Sequence, residues 1–279
     1  MPAASAAPPI ASVETAEVAR MAGPLAWAGQ ALAVAQAELQ KLRRDPTELF
    51  SRAVQPTLWL VIFGQVLGRS RAIPTGVLSY REFLAPGILA QSVLFTAIFY
   101  GIGIIWERDL GILQKMLITP AYRSALVVGK ALSAAVRGLI QAVVILLLSL
   151  LLGIRLDFAP ASLLLVVLAV SLGAAVFSTF SLVVACLVKT RERFMGIGQV
   201  LTMPLFFASN AIYPLSMMPG WLHVVSRGNP LTYLVDALRT LMVQGSPSVF
   251  GVGFDFAVLG LVFVVLVAVA ARLYPTVVT

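Results

Sequence analysis

The sequence predicts an all-α integral membrane protein with six transmembrane helices. Of its 279 residues, 59% are hydrophobic and only 11% are charged, whereas soluble domains carry about 25% charged residues. The mean hydropathy is +0.95, so the chain cannot bury its apolar residues in a single core surrounded by water. Apolar runs long enough to cross about 30 Å of hydrocarbon recur along the sequence. Together these observations predict helices in lipid.

Two segments precede the first apolar run. Residues 1–23 are rich in Ala, Pro and Ser and are expected to form a disordered cytoplasmic tail without a cleaved signal peptide. In residues 24–45 the apolar positions, from Leu25 to Leu42, recur every three or four residues. This spacing predicts an amphipathic helix in the membrane interface. A self-pairing coiled coil would show the same stripe, but the segment is short and rich in alanine.

Residues 46–279 are predicted to form the transmembrane domain. Asp45 and Pro46 are a helix cap and a first helical residue, and Pro56 is expected to kink the first span. The six predicted spans are residues 46–68, 83–106, 131–153, 160–188, 194–215 and 254–273.

The distribution of charge predicts the topology. A net charge of +8 would suggest a nucleic-acid partner in a soluble protein, but Lys and Arg collect in the cytoplasmic loops of membrane proteins. With the amino terminus inside, the inner segments hold about twice as many Lys and Arg residues as the outer loops, most clearly in residues 189–193. We therefore expect both termini in the cytoplasm, membrane lipids as partners and no nucleic acid.

A charged stretch separates the second and third predicted spans, residues 107–130, ERDLGILQKMLITPAYRSALVVGK. Leu110, Leu113 and Leu117 recur at helical spacing and form one apolar face. Pro120 ends this short helix because proline has no N–H to donate. Such a helix can lie on the lipid surface or bind a soluble partner. The spacing alone fits a solvated turn equally well.

The outer stretch, residues 216–245, is too long for a plain turn and too apolar for a solvated loop. Asn229 and Pro230 begin a helix as cap and first residue. Asp236 and Arg239 are three residues apart and can pair on it. We expect one or two re-entrant helices that enter the outer leaflet and return before the last span.

The sequence carries no catalytic or metal-binding motif. Gly129-Lys130 lacks the rest of a phosphate-binding loop, His223 has no catalytic neighbours in sequence, and the single Cys186 excludes an internal disulfide. Arg137 lies inside a predicted span, where snorkelling to the headgroups is favoured over a substrate contact. The absence of a mid-span carboxylate disfavours an ion-coupled carrier. The absence of a His, Asp and Glu cluster at one membrane face disfavours a membrane enzyme acting on lipids.

Two motifs resemble one family. The first consists of Glu107-Arg108-Asp109, then Gly111, Leu113, Pro120 and Gly129-Lys130. The second is NPLTYLVDALR, residues 229–239, with Asn229, Pro230, Tyr233, Asp236 and Arg239. From about residue 39 onward the chain resembles the membrane subunits of type-2 ABC exporters, closest to the daunorubicin-resistance permeases.

The resemblance implies a bacterial inner-membrane transport subunit that is not itself an enzyme. Two such permeases, identical or closely related, would form the pathway, and two separate ATPase subunits would bind ATP and Mg. The cargo would be amphipathic drugs, antibiotics or lipids, with lipid-linked polysaccharide as the alternative. Residues 107–119 would be the coupling helix, with Glu107, Arg108, Asp109, Leu110, Leu113 and Leu117 facing the ATPase.

Aromatic side chains are the expected walls of the pathway, although such residues equally serve helix packing. They are Phe95, Phe99, Tyr100, Phe177, Phe180, Phe206 and Phe207.

Overall fold

The computed structural model describes residues 23–44, 47–70, 73–110, 122–188 and 190–273. Within these residues the fold is all-helical and no strand is present; one isolated bridge joins Leu156 to Val243. The helices are α1 Pro24–Arg44, α2 Thr47–Leu58, α3 Gly64–Ser70, α4 Tyr80–Asp109, α5 Arg123–Leu151, α6 Pro160–Leu187, α7 Arg191–Phe207, α8 Gly220–Gly228, α9 Pro230–Met242 and α10 Val252–Leu273. The predicted disordered tail lies outside the described residues except for Gly23.

Four described helices, α4, α5, α6 and α10, are long and apolar enough to cross a membrane. They correspond to the second, third, fourth and sixth predicted spans. The first predicted span contains α2, a five-residue π-helical turn at Trp59–Phe63, and α3. Pro56 lies in α2 just before that turn, and prolines and π-turns are recognised causes of helix bending.

The fifth predicted span is shorter in the structure than in the prediction. Helix α7 has 17 residues and ends at Phe207 instead of residue 215. Pro204 lies within it, and the Ala208 N–H donates to the Pro204 carbonyl in its last turn. The following residues form turns and a short 3₁₀ helix, Leu215–Met217, so the apolar run continues past the helix.

The core lies where α6 packs against α4, α5, α9 and α10. The larger cluster of buried side chains joins α4, α5, α6 and α9, and a smaller one includes Ile104, Leu126 and Phe194. Small residues permit this packing: a Cβ at Gly138 of α5 would lie 3.1 Å from the Ala174 Cβ of α6. The helix α1 packs along the beginning of α5.

The outer surface of α10 stays apolar and exposed. Leu261, Val264 and Val265 are more than half exposed, and little of the apolar length of α10 is buried within the chain. Lipid is the environment that tolerates such a surface.

Candidate functional site: the junction of α1, α4 and α5

The amino-terminal helix α1 is held on the first turn of α5 by three hydrogen bonds. The Gly23 N–H donates to the Tyr122 hydroxyl at 3.2 Å, and the Tyr122 N–H donates to Gln30 Oε1 at 2.9 Å. The Trp27 indole N–H donates to Ser124 Oγ at 3.0 Å. A helix is therefore present where the amphipathic helix was predicted, and its polar side chains contact the protein; its place in the membrane interface stays a prediction.

Gly129 permits the close approach of α1 and α5. A Cβ at this position would lie 2.5 Å from the Ala31 carbonyl oxygen and 2.7 Å from the Val34 Cβ. Both distances are shorter than any ordinary contact of a Cβ. This close approach is a structural reason for the glycine in the Gly129-Lys130 pair.

Four charged side chains form a closed ring at this junction, which we call the ion ring. Lys41 Nζ lies 3.2 Å from Glu38 Oε1 and 2.6 Å from Glu107 Oε1. Lys130 Nζ lies 3.2 Å from Glu38 Oε1 and 2.7 Å from Glu107 Oε2. Acidic and basic groups therefore alternate around the ring, which joins α1 to the end of α4 and the beginning of α5.

Burial makes the ion ring energetically different from a surface ion pair. The side chains of Glu38, Glu107 and Lys130 are only 5–7% exposed, whereas Lys41 is 56% exposed. An exposed pair contributes at most about 1 kcal/mol, whereas removal of one partner of a buried pair costs about 3–5 kcal/mol. Burial raises the pKa of Glu38, but the ammonium groups of Lys130 and Lys41 outweigh it and lower that pKa to about 2.

Arg137 lies next to the ion ring. Its guanidinium is 4.5 Å from the centre of the Tyr100 ring and 3.8 Å from Glu38 Oε2, and it donates to Ser133 Oγ. The residue is 4% exposed. The prediction that Arg137 snorkels to the headgroups is therefore wrong, because α1 covers this face of α5 and supplies a carboxylate there.

The structure separates the residues of the predicted coupling motif. Glu107 is buried in the ion ring. Arg108 donates to the Val188 carbonyl oxygen at 3.3 Å, and Asp109 pairs with Arg191 of α7 at 2.8 Å. The motif thus ties the end of α4 to its neighbouring helices, and sequence periodicity gave no sign of these contacts.

The apolar part of the predicted coupling helix is only partly described. Leu110 is 67% exposed at the end of α4. Leu113 and Leu117 lie outside the described residues. Their contact with an ATPase stays a prediction.

The second motif begins α9 as predicted. The Asn229 side chain accepts from the Leu231 N–H at 3.0 Å, and its amide donates to the Leu205 carbonyl oxygen at 2.6 Å. Pro230 is the first helical residue. The Tyr233 hydroxyl donates to the Arg227 carbonyl oxygen at 2.6 Å. The motif therefore fixes α9 against both α7 and α8.

Asp236 and Arg239 are both buried, but among the described residues no ion pair joins them. Asp236 accepts from the Ser248 hydroxyl and from the N–H groups that follow it in the chain. Arg239 donates to the carbonyl oxygens of Phe83, at 3.2 Å, and Asn210, at 2.7 Å. The predicted pairing is wrong because different neighbouring segments supply hydrogen-bond partners to the two side chains.

Asp255 is a buried carboxyl that the sequence did not indicate. Its place at the beginning of the last span predicts contact with water, but the residue is 0% exposed. Its carboxyl interacts with the carboxyl of Asp236, and no other hydrogen-bond partner reaches it within the described part of the chain. That prediction is wrong because α9 packs on the beginning of α10.

The seven predicted pathway aromatics do not form one surface. Phe177 and Phe206 are buried in the core, and Tyr100 lies beneath Arg137. Phe180 packs against the core and Phe207 is exposed.

Phe95 and Phe99 line a groove of about 300 Å³ between α2 and α4. Its other lining residues are Gln55, Pro56, Gln91, Ser92, Thr96 and Ile102. The groove thus combines aromatic rings with uncharged polar side chains.

Comparison with known proteins identifies the family. The ABC-2 type transporter family matches residues 29–243. The chain is 32% identical to a putative transport permease ycf38 of Cyanophora paradoxa, over 74% of this chain and 71% of the relative. It is 26% identical to the daunorubicin resistance ABC transporter permease protein DrrB1 of Streptomyces coeruleorubidus, over 85% and 82% of the two chains. A probable doxorubicin resistance ABC transporter permease protein, DrrC of Mycobacterium tuberculosis, is 29% identical over 77% and 79%. The chain therefore belongs to the ABC-2 type transporter family of membrane permeases.

Proposed function

We propose that this chain is the transmembrane subunit of an ATP-driven exporter in the bacterial inner membrane. Permeases of this family work with an ATPase partner. The observation that carries the proposal is the junction of α1, α4 and α5, where buried ion pairs hold both ends of residues 111–121. Ion pairs at the ends of the flanking helices α4 and α5 are suited to transmit force from a soluble partner to the spans.

The complex would contain two permeases, identical or closely related, and two ATPase subunits that bind ATP and Mg. The chain would cross the membrane six times with both termini in the cytoplasm. Closure of the ATPases on ATP would bias a two-state equilibrium between inward-facing and outward-facing pathways. Leu110, Leu113 and Leu117 are the residues that would contact the ATPase.

The proposed cargo is an amphipathic drug, antibiotic or lipid, taken from the cytoplasm or the inner leaflet. Support comes from the relatives named for daunorubicin and doxorubicin resistance. The groove between α2 and α4 also fits such a cargo, because Phe95 and Phe99 offer apolar surface beside the polar Gln91 and Ser92. Lipid-linked polysaccharide, the alternative, requires a wide continuous channel.

The substitution Leu113→Asp tests the proposed coupling. Loss of a central interface anchor costs about 2 kcal/mol, roughly a thirty-fold loss of affinity. We expect the variant to reach the membrane normally but to lose copurification of the ATPase and cargo-stimulated ATP hydrolysis. Leu25→Asp is the matched control, since Leu25 is an exposed leucine at the start of α1.

Two results would contradict this assignment. If Leu113→Asp only loosens residues 111–121 from lipid while the ATPase still copurifies and responds to cargo, the segment is a surface helix. If the wild-type complex is stimulated by lipid-linked saccharides and not by amphipathic drugs, the alternative cargo is correct.

A further inference from the structure

The ion ring lies where the chain leaves α4 and where it enters α5, at the two ends of the stretch between these helices. The chain leaves α4 just after Glu107 and enters α5 seven residues before Lys130. We call the chain between these helices, residues 111–121, the connecting segment. The Glu107 and Lys130 side chains meet at 2.7 Å, so an ion pair joins the two helices that carry it. Glu38 and Lys41 complete the ring from α1.

Further contacts around the ring join α1 to the beginning of α5. The Tyr122 N–H, at the start of α5, donates to Gln30 of α1. Seven residues further along α5, Gly129 lies directly against α1. Ionised side chains in a low-dielectric site are costly to separate. These contacts therefore tie α1, the end of α4 and the beginning of α5 to one another.

We propose that Glu107 and Lys130 are positioning residues that lock the base of the connecting segment, so that α1, α4 and α5 respond to the ATPase as one body. This inference rests on the proposed function. Glu107 then acts within the permease and is not a docking contact. Its burial distinguishes it from Leu110, which is exposed three residues later, just past the end of α4.

The balance of charges in the ion ring allows the proposal to be tested by a second substitution that rescues the first. Among the described residues, three cations (Lys41, Lys130 and Arg137) face two carboxylates in wild type and only that of Glu38 in Glu107→Met. In the double variant with Lys130→Met, Lys41 and Arg137 face Glu38, so the excess of one cation found in wild type is restored, and two flexible apolar side chains fill the space. Replacement of a buried ion pair by apolar side chains is often tolerated, whereas removal of one partner is not. The second substitution should therefore rescue the first.

The measurement is transport per ATP hydrolysed, together with copurification of the ATPase, in the reconstituted complex. We expect Glu107→Met to lose about tenfold or more in transport per ATP, and the double variant to come within about threefold of wild type. Copurification should stay within about twofold in both. Glu192→Met is the matched control, because Glu192 is an exposed acid in the first turn of α7, and it should behave as wild type.

Two results would overturn the proposal. If Glu107 docks the ATPase, Glu107→Met loses copurification and Lys130→Met does not restore it. If the ring only stabilises the fold, the single variant gives less protein with a normal transport-to-ATP ratio.

A second measurement uses the permease alone and so does not depend on an ATPase. Spin labels at Leu110→Cys and Arg123→Cys, in a Cys186→Ser background, report the distance across the base of the connecting segment. We expect a narrow distribution in wild type, a width about twice as large in Glu107→Met, and recovery in the double variant. A distribution that Glu107→Met leaves unchanged would show that the ring does not fix the base. If the distribution behaves as expected but the wild-type permease copurifies no ATPase in the first experiment, the ring fixes the base and the proposed function is wrong.

Discussion

Replacing Gly129 with alanine is expected to separate α1 from α5. The added Cβ would lie 2.5 Å from the Ala31 carbonyl oxygen, whereas ordinary contact begins at 3.4 Å. The obstacle is backbone, which cannot rotate away as a flexible side chain can. The two helices must therefore move apart by nearly 1 Å along the surface that carries the ion ring.

The size of the effect follows from two opposing terms. Overpacking of a well-packed site costs about 1–3 kcal/mol, and alanine gains about 1 kcal/mol over glycine in helix propensity. Strain against backbone places the first term at the upper end of its range, so we expect a net loss of about 1–2 kcal/mol. For a chain of this size that corresponds to a fall in Tm of roughly 3–6 °C.

The assay is thermal unfolding of the purified permease, followed as loss of the monodisperse peak in size-exclusion chromatography. The rate of amide hydrogen exchange in residues 24–44 should also rise, because α1 no longer packs closely against α5. Gly103→Ala is the matched control: Gly103 lies in α4, and a Cβ there meets no atom within 4 Å. That variant should melt at or slightly above the wild-type temperature. If Gly129→Ala melts like Gly103→Ala, and α1 exchange is unchanged, the close approach of the two helices is not a real constraint.

Four further outcomes are expected. Arg239→Met should lower the free energy of unfolding by about 2–3 kcal/mol, because two buried carbonyl oxygens lose a charged donor; a thermal melt unchanged from wild type would contradict this. Asp255→Asn should leave expression and Tm unchanged or higher, because the amide removes a buried acid from beside Asp236 and can still donate to it, and a lower Tm would show that the carboxyl itself is required there. The depressed pKa of Glu38 contributes stability that is present above pH 4.5 and is lost as pH falls toward about 2. Glu38→Gln should remove that part of the acid dependence, as measured by Tm against pH. A reporter fused after Arg191 should be cytoplasmic and one near Pro219 external; the reverse labelling would exclude the six-span topology.

The ends of several elements were predictable from local chemistry. A cap such as Asn229 followed by Pro230 favours the start of a helix, because the Asn side chain accepts from one of the first N–H groups and proline has no N–H that needs an acceptor. Apolar runs likewise identify helices α4, α5, α6 and α10, because lipid selects by length and composition. For such features the sequence was sufficient.

The partners of the charged side chains, in contrast, were not predictable from local sequence. Lys41 and Glu107 are 66 residues apart, and the prediction placed Glu107 against an ATPase. Asp236 and Arg239, three residues apart, were expected to pair, yet each found partners on a different neighbouring segment.

One physical reason explains both the distant partners that were missed and the expected pair that did not form. By itself the sequence determined that this is a helical membrane protein, where most of its helices lie, and which helix faces are apolar. Periodicity gives the direction of a side chain around its own helix but carries no information about which helix will cover it. Only the tertiary structure placed α1 over Arg137, closed the four charges into a ring and buried Asp255, because burial and charge pairing depend on distances between segments that are remote in sequence.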